Sequence, residues 1–180
     1  MANRLRKTVQ ILGKGRGVEP PSSPGIERWG INDLAFVRYS GEFTAWTRWF
    51  DMHPPDRIRA RRPQAWEWYQ QQDKPIYLLE ANPDIPASVE YPKKRILSRF
   101  ATTRFQSSFD WAMALALEEQ FEQIELVWCP MKQPSEHDRQ IPSACYWIGR
   151  AEERGVEVVI HGESALQAAT QLYGYDYPLS

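Results

Sequence analysis

The chain has few of the residues that usually hold metals. Its 180 residues include two cysteines, Cys129 and Cys145, and three histidines, His53, His137 and His161. The cysteines have no partner at metal-ligand spacing, and no two histidines have the spacing of a zinc-enzyme motif. The sequence therefore predicts no metal site and disfavours a zinc enzyme, and we expect both cysteines to be buried thiols.

Long apolar runs are missing as well. No stretch approaches the roughly 18 apolar residues that a membrane-spanning helix requires. The N-terminus is basic, and a glycine breaks its apolar stretch too early for a signal peptide. These absences predict a cytoplasmic protein without a membrane span. The length and the 42% of apolar residues suit one domain over residues 1–180, with residues 1–7 as an arm and 173–180 as a tail.

Basic residues are few in the second part of the chain, and the two parts carry opposite net charges. Residues 1–104 hold 18 of the 22 basic residues and 11 of the 23 acidic ones, so their net charge is +7. Residues 105–180 have a net charge of −8. No acidic residue lies between Tyr91 and Phe109, where five basic residues fall. A basic N-terminal part favours an anionic ligand, although a solvated surface has the same composition.

Apolar runs and turn residues predict alternating strands and helices. Strands are predicted at Thr8–Leu12, Ile26–Asn32, Arg48–His53, Pro75–Glu80, Ile124–Cys129 and Val156–His161. Helices are predicted over Arg57–Gln72 with Asp56 as the N-cap, from Ser107 or Ser108 to about Phe121, over Ser143–Arg154 and over Ser164–Leu172. Ala81–Pro92 and Pro130–Pro142, which contains His137, are predicted as loops, and residues 34–45 are ambiguous. Trp46, Trp49, Trp66 and Trp111 are expected in the core.

The later strands are continuous apolar runs rather than alternating ones. Such runs are typical of parallel strands that helices cover on both faces. The sequence therefore predicts an α/β fold, a three-layer Rossmann-like domain with a mainly parallel sheet.

The first predicted strand ends in a glycine-rich segment, Gly13-Lys14-Gly15-Arg16-Gly17, which we call the glycine loop. Glycines at the carboxyl end of a strand let backbone amides approach a phosphate, and the two basic side chains add positive charge. The segment is neither a P-loop nor GxGxxG, so a dinucleotide site is disfavoured. The alternative is a simple turn that ends the strand.

Polar residues follow two other predicted strands and open one predicted helix. Asn32 and Asp33 end the second strand, where a parallel sheet places groups that contact a ribose or base. Ser107 and Ser108 open a helix whose first amides form a second candidate anion site. A strand-ending turn and a helix cap explain the same residues without a ligand.

Two histidines are candidates for proton transfer. His53 follows Asp51 at the end of the third predicted strand, and His137 lies between two acidic residues in a predicted loop. Either side chain has the chemistry of a general base. A structural histidine and a solvated loop are the alternatives.

The order of these motifs resembles the bacterial sialyltransferases of glycosyltransferase family 42 and the related 6-hydroxymethylpterin diphosphokinase-like family. The matching residues are Ile11–Gly15, Asn32, Met52–Pro54, and Arg104–Ser108 followed by the apolar helix and strand. The resemblance implies a CMP-type nucleotide or nucleotide-sugar ligand that Asn32 contacts. The chain departs from the family where Arg16-Gly17 replaces Pro-Ser and His53 replaces an asparagine, and it has no Gly-His-Ser-Lys segment. Small bacteriophage proteins look similar too, and a phage origin would place the chain in the host cytoplasm.

The leading hypothesis is a nucleotide- or nucleotide-sugar-binding protein, with a small glycosyl- or phosphoryl-transferring enzyme as its catalytic form. In it, the amides of Gly13, Gly15 and Gly17 hold phosphate, and His53 or His137 activates an acceptor hydroxyl. The alternative is a non-catalytic, phage-type interaction module that binds itself or a protein partner through its charge-asymmetric surfaces. Nucleic-acid binding is disfavoured, because the total charge is near neutral and no aromatic residues interleave a basic motif.

Overall fold

The computed structural model describes residues 6–15, 17, 23–132 and 137–167. These residues form a seven-stranded sheet. The strands are β1 (Thr8–Leu12), β2 (Glu27–Ile31), β3 (Arg48–Phe50), β4 (Ile76–Leu78), β5 (Ser88–Glu90), β6 (Gln123–Val127) and β7 (Glu157–His161). All neighbouring strands are parallel, in the order β5-β4-β3-β2-β1-β6-β7.

Six helices in the described residues cover the two faces of this sheet. They are α1 (Leu34–Tyr39), α2 (Pro55–Arg61), α3 (Pro63–Gln70), α4 (Lys93–Phe100), α5 (Ser108–Glu118) and α6 (His137–Glu152). Val9 and Ile11 of β1 pack in one core with α4, α5 and α6, and Leu12 packs in a second core with α1, α2 and α3. The predicted three-layer Rossmann-like α/β fold is therefore confirmed. None of these helices combines the length and the apolar character that crossing a bilayer requires.

The direction of chain progression reverses next to β1. Strands β2 to β5 follow one another on one side of β1, and β6 and β7 lie on its other side. Where the strand order reverses in a doubly wound sheet, a crevice lies at the carboxyl ends of the neighbouring strands, here β1 and β6. In doubly wound sheets this crevice is where ligands bind.

The helix predicted over Arg57–Gln72 is two helices. Pro63 restricts the residue before it, and Arg62 has a non-helical backbone that ends α2 and precedes α3. The residue that precedes α2 is Pro54, not Asp56. The break turns α3 so that Trp66 and Tyr69 are buried.

The predicted loop Pro130–Pro142 is also partly wrong. The helix α6 begins at His137 and includes Pro142, whereas the prediction started it at Ser143. Pro142 lies in the second turn of α6, where it has no amide hydrogen to donate, and the apolar face of the helix still packs on α5. Likewise, the predicted loop Ala81–Pro92 contains β5 at Ser88–Glu90.

Two further predictions differ in part from the structure. Cys129 is buried as predicted, but Cys145 lies on the outer face of α6 and is exposed. Trp46, Trp49 and Trp66 are buried, whereas Trp111 is only partly buried. Of the helix predicted at Ser164–Leu172, residues 164–167 form a turn and the remainder lies outside the described residues, as do the arm residues 1–5 and the tail.

Candidate functional site

A cavity of about 670 Å³ lies at the carboxyl edge of the sheet, where the chain order reverses. Most of the residues that the sequence singled out line it: Gly13, Lys14, Gly15, Asn32, His53, Ser107, Ser108 and His137. Gly17 and Asp33 do not line it, and Arg16 lies outside the described residues. The sheet topology thus brings together residues that are far apart in sequence.

The glycine loop does not present its first amides to a ligand. Gly13 N–H donates to the carbonyl of Val127 at 2.8 Å, and Gly15 N–H donates to the carbonyl of Trp128 at 2.7 Å. These bonds extend the pairing of β1 with β6 beyond the sheet. Both hydrogens already have acceptors, so in this structure these two amides are not available to the phosphate that the sequence analysis assigned to them.

Glycine is required in this loop for close packing instead. A Cβ atom on Gly13 would lie 2.5 Å from the Trp128 carbonyl oxygen and 2.8 Å from Cys129 Sγ. A Cβ atom on Gly15 would lie 2.6 Å from Pro130 Cδ. Real Cβ contacts are not this short, so a side chain at either position would push the β1 and β6 loops apart and widen the cavity.

Arg38 of α1 holds the glycine loop from outside the cavity. Its guanidinium donates to the carbonyl of Gly15 at 2.9 Å and to the carbonyl of Gly17 at 2.6 Å. The same guanidinium lies 3.6 Å from the ring centroid of Trp128, a cation–π distance. Arg38 therefore ties the loop after β1 to the loop after β6.

Asn32 has a fixed backbone and a fixed amide orientation. Its φ of 52° is left-handed, a region that asparagine tolerates better than most residues. Its carbonyl accepts from Trp49 Nε1 at 2.7 Å. The Ser108 hydroxyl accepts from Met52 N–H at 3.1 Å, so its own hydrogen is directed at Asn32 Oδ1, 2.8 Å away. The Asn32 amide nitrogen, which has no acceptor among the described residues, is thereby left to donate into the cavity.

His53 forms a pair with the fully buried Asp51. Its Nδ1 lies 2.6 Å from Asp51 Oδ1, within hydrogen-bond distance. Arg62 Nη2 lies 2.9 Å from the same Nδ1, so Nδ1 donates to Asp51 in one ring tautomer and accepts from Arg62 in the other. In the tautomer that donates to Asp51, Nε2 of the neutral ring is unprotonated and has the lone pair that a general base needs.

Two side chains from α3 and its start hold Asp51 in place. The Tyr69 hydroxyl lies 2.8 Å from Asp51 Oδ2, and Arg62 Nη1 lies 3.2 Å from the same oxygen. Burial, together with the Asp51 carboxylate, raises the pKa of Tyr69 well above its usual range, so this hydroxyl stays a donor. The carboxylate is thus compensated inside the protein. Its other oxygen, Oδ1, faces His53 Nδ1 and also accepts from Arg62 Nη2 and the His53 amide, both at 3.3 Å.

The start of α5 forms another wall of the cavity. Ser107 is the N-cap: its hydroxyl accepts from Asp110 N–H, and the Asp110 carboxylate accepts from the backbone amides of Gln106 and Ser107. Asp110 is fully buried, and burial raises its pKa to about 6 despite these hydrogen bonds. The amides of Ser108 and Phe109, in the first turn, have no intrahelical acceptor, and both residues line the cavity.

The raised pKa of the buried Asp110 carboxyl predicts that the stability of the chain depends on pH. Because its pKa rises from 3.8 unfolded to about 6 folded, the folded state binds this proton more tightly. Its contribution to stability is therefore complete below pH 3.8 and is lost as the pH rises through 6. We expect the unfolding free energy of the wild type, relative to Asp110→Asn, to fall by up to about 3 kcal/mol between pH 4 and pH 7. Urea unfolding at both pH values tests this, with the exposed Asp56→Asn as a control. An equal pH dependence in wild type and Asp110→Asn would contradict it.

The walls of the cavity combine cations with aromatic rings. No aspartate or glutamate is among its described lining residues, whereas Lys14, Arg57 and Lys132 are. Phe105 and Trp111 stack with their ring centroids 3.7 Å apart, and both rings line the cavity together with Trp128. Such walls suit a ligand with an anionic part and a flat apolar part.

Cys129 also lines the cavity, but it is not a nucleophile. Burial raises the pKa of its thiol to about 12, so the reactive thiolate is not populated near neutral pH. The described residues contain no group of three or more histidine, cysteine, aspartate or glutamate side chains placed to hold a metal ion.

Sequence reasoning missed Arg57, Lys132, Arg38 and Trp128. Arg57 and Lys132 follow the strand ends by a few residues, which is the signal that could have found them. Arg38 lay in the ambiguous segment, and Trp128 was counted as part of a strand. Comparison of the chain with protein-family models, with curated proteins and with solved structures finds no match in any of the three.

Proposed function

We propose that the chain binds a nucleotide or nucleotide sugar in the cavity at the carboxyl edge of the sheet and transfers a glycosyl or phosphoryl group from it. The observation that carries this proposal is the cavity wall itself. It is cationic, partly aromatic and free of carboxylates among the described lining residues, and it lies where the chain order reverses.

The phosphate fits best between Lys14 and the start of α5. The first-turn amides of Ser108 and Phe109 and the positive end of the helix dipole favour an anion there. Lys14 Nζ lies 3.1 Å from Asp33 Oδ1 and is nearly half exposed, so it can turn toward a phosphate. Gly13 and Gly15 contribute close packing rather than amide donors.

The base or ribose fits near Asn32. Its amide nitrogen is presented as a donor, which suits a carbonyl oxygen or ring nitrogen of a base, or a ribose oxygen. The aromatic walls supply the stacking surface that a planar base needs. These features support a nucleoside rather than a bare phosphate as the ligand.

His53 is the base in the proposed reaction. His53 Nε2 removes the proton of an acceptor hydroxyl, whose oxygen then bonds to the transferred group as the bond to the nucleotide oxygen breaks. The leaving nucleotide carries away the electron pair of that bond. Asp51 holds the ring for this step through its bond to Nδ1.

A thermal-shift panel tests ligand binding. The panel contains cytidine, uridine, adenosine and guanosine nucleotides, CMP- and UDP-sugars, NAD and S-adenosylmethionine. A ligand at 100 times its dissociation constant adds about 2.7 kcal/mol of stability. For a chain of this size we expect one nucleotide class to raise the melting temperature by roughly 5–10 °C.

Two variants locate that ligand. Asn32→Gly keeps the left-handed backbone but removes the amide donor, so we expect it to lose most of the shift. Ser40→Gly changes an exposed residue that has the same φ and lies outside the cavity lining, so it should keep the shift. If no ligand in the panel raises the melting temperature, the proposal is contradicted and the non-catalytic interaction module is favoured.

A further inference from the structure

Among the described residues, Lys14, Arg57 and Lys132 are the lysine and arginine side chains that line the cavity, and they differ in what they contact. Lys14 is paired with Asp33, and Lys132 Nζ lies 2.6 Å from a carboxylate oxygen of Glu163. The Arg57 side chain, in contrast, makes no hydrogen bond and no ion pair with any part of the chain that the structure describes. Of these three cations, Arg57 is thus the one whose charge and N–H donors are not engaged by the described residues.

The acidic residues near Arg57 are already engaged. Asp56, its neighbour in α2, lies 2.9 Å from Arg59 Nη2. Asp51 is fully buried and shared by His53, Tyr69 and Arg62. An unpaired guanidinium beside a cavity without carboxylates, in the residues described, attracts an external anion.

Arg57 and His53 come from one short stretch of the chain at the cavity wall. They are four residues apart, on either side of the start of α2, and both line the cavity. The nucleotide phosphate was placed elsewhere, at Lys14 and α5. An anion at Arg57 would therefore lie beside the base rather than at the donor phosphate.

We infer that Arg57 forms a second anion-binding subsite beside His53, which takes a phosphate or carboxylate group of the acceptor. The inference rests on the proposed function for its description of the acceptor, and it adds that the acceptor is an anionic alcohol. The planar guanidinium binds either group through two parallel N–H···O hydrogen bonds. The anion would hold the acceptor so that its hydroxyl faces His53 Nε2.

The test uses small anions as probes. Inorganic phosphate or acetate is added to the full, ¹⁵N-labelled chain at constant ionic strength, and NMR follows the Arg57 Nε–H and the signals of His53. We expect saturable shifts of both residues in the wild type. Arg57→Gln should raise the dissociation constant at least about tenfold. Arg61→Gln, an exposed arginine of the same helix outside the cavity lining, should match the wild type.

The relative affinities identify the anionic group. Tighter binding of phosphate assigns an acceptor phosphate, and tighter binding of acetate assigns a carboxylate. The subsite would be overturned if the saturable NMR shifts do not include the Arg57 signal. It would also be overturned if Arg57→Gln and Arg61→Gln weaken anion binding equally. If these anions bind at Arg57 while no nucleotide shifts the melting temperature, the subsite stands and the proposed function fails. If a nucleotide binds and Arg57→Gln binds both anions as the wild type does, the subsite fails and the proposed nucleotide binding stands.

Discussion

Replacing His53 with glutamine is expected to lower turnover of the bound nucleotide or nucleotide sugar by roughly 10²- to 10⁴-fold. Glutamine retains hydrogen-bonding groups but cannot accept a proton near neutral pH. The affinity for the nucleotide should change little, because Asn32, Lys14 and the start of α5 are the groups assigned to it. Turnover is measured as release of the free nucleotide or of phosphate, and affinity by calorimetric titration.

The expected loss depends on the Asp51–His53 pair. The proposed base is the tautomer in which Nδ1 donates to Asp51 across 2.6 Å, so that Nε2 is the basic nitrogen. Asp51→Asn would keep the shape of the side chain but permit the opposite tautomer, and it should lower turnover in the same direction. A rate in Asp51→Asn that equals the wild-type rate would show that this pair does not orient a base.

Two other histidine variants make the result specific. His161 lies on β7, 2.9 Å from Glu125 and outside the cavity lining, so His161→Gln should keep wild-type turnover. His137→Gln distinguishes the two candidate bases, because His137 also lines the cavity. If His137→Gln loses turnover and His53→Gln retains it, the base is His137 of α6, which would contradict our assignment.

Replacing Gly30 with alanine is expected to destabilise the chain by about 3 kcal/mol, at the upper end of overpacking in a core. Gly30 lies in β2, opposite Trp49 of the neighbouring strand. An added Cβ atom would come within 2.2 Å of a carbon of the Trp49 ring. That ring is fully buried and donates to the Asn32 carbonyl, so it cannot move without disturbing the cavity.

Urea unfolding of Gly30→Ala measures this effect, and Gly149→Ala is the matched control. Gly149 lies in α6, and a Cβ atom there meets nothing within 4 Å. Alanine should therefore stabilise the chain by about 0.5–1 kcal/mol through helix propensity. Equal stability of Gly30→Ala and the wild type would mean that the Trp49 ring does not fill the space over β2.

The fold was predictable where the sequence carried long apolar signals. The run Ile124–Cys129 and the helix after Ser107 indicated a covered parallel sheet, and β6 and α5 lie close to those positions. Short elements were not predictable to the same degree. The strand β5 has three residues, with Val89 and Glu90 exposed, so tertiary pairing with β4 rather than local sequence determines it.

Some of the residues that line the candidate site were predictable, but their roles were not. Strand ends and helix starts pointed to Gly13, Asn32, His53 and Ser108, and the sheet topology brings them together. The engagement of the Gly13 amide with Val127 depends on the β1–β6 register, which the sequence did not specify.

The residues that hold Asp51, the partner of His53, could not be predicted from the sequence either. Arg62 and Tyr69 reach Asp51 only because the chain turns at Pro63, and no local pattern indicates that contact.

The most direct test of the central claim is where a nucleotide binds. The ¹⁵N-labelled chain is titrated with CMP, UMP, AMP and GMP, and NMR follows the backbone and side-chain amides. The account predicts that one of them shifts the Asn32 side-chain amide together with the backbone amides of Ser108 and Lys14, and that Asn32→Gly weakens this response. Shifts confined to residues outside the cavity, or no saturable shift with any of the four nucleotides, would contradict it.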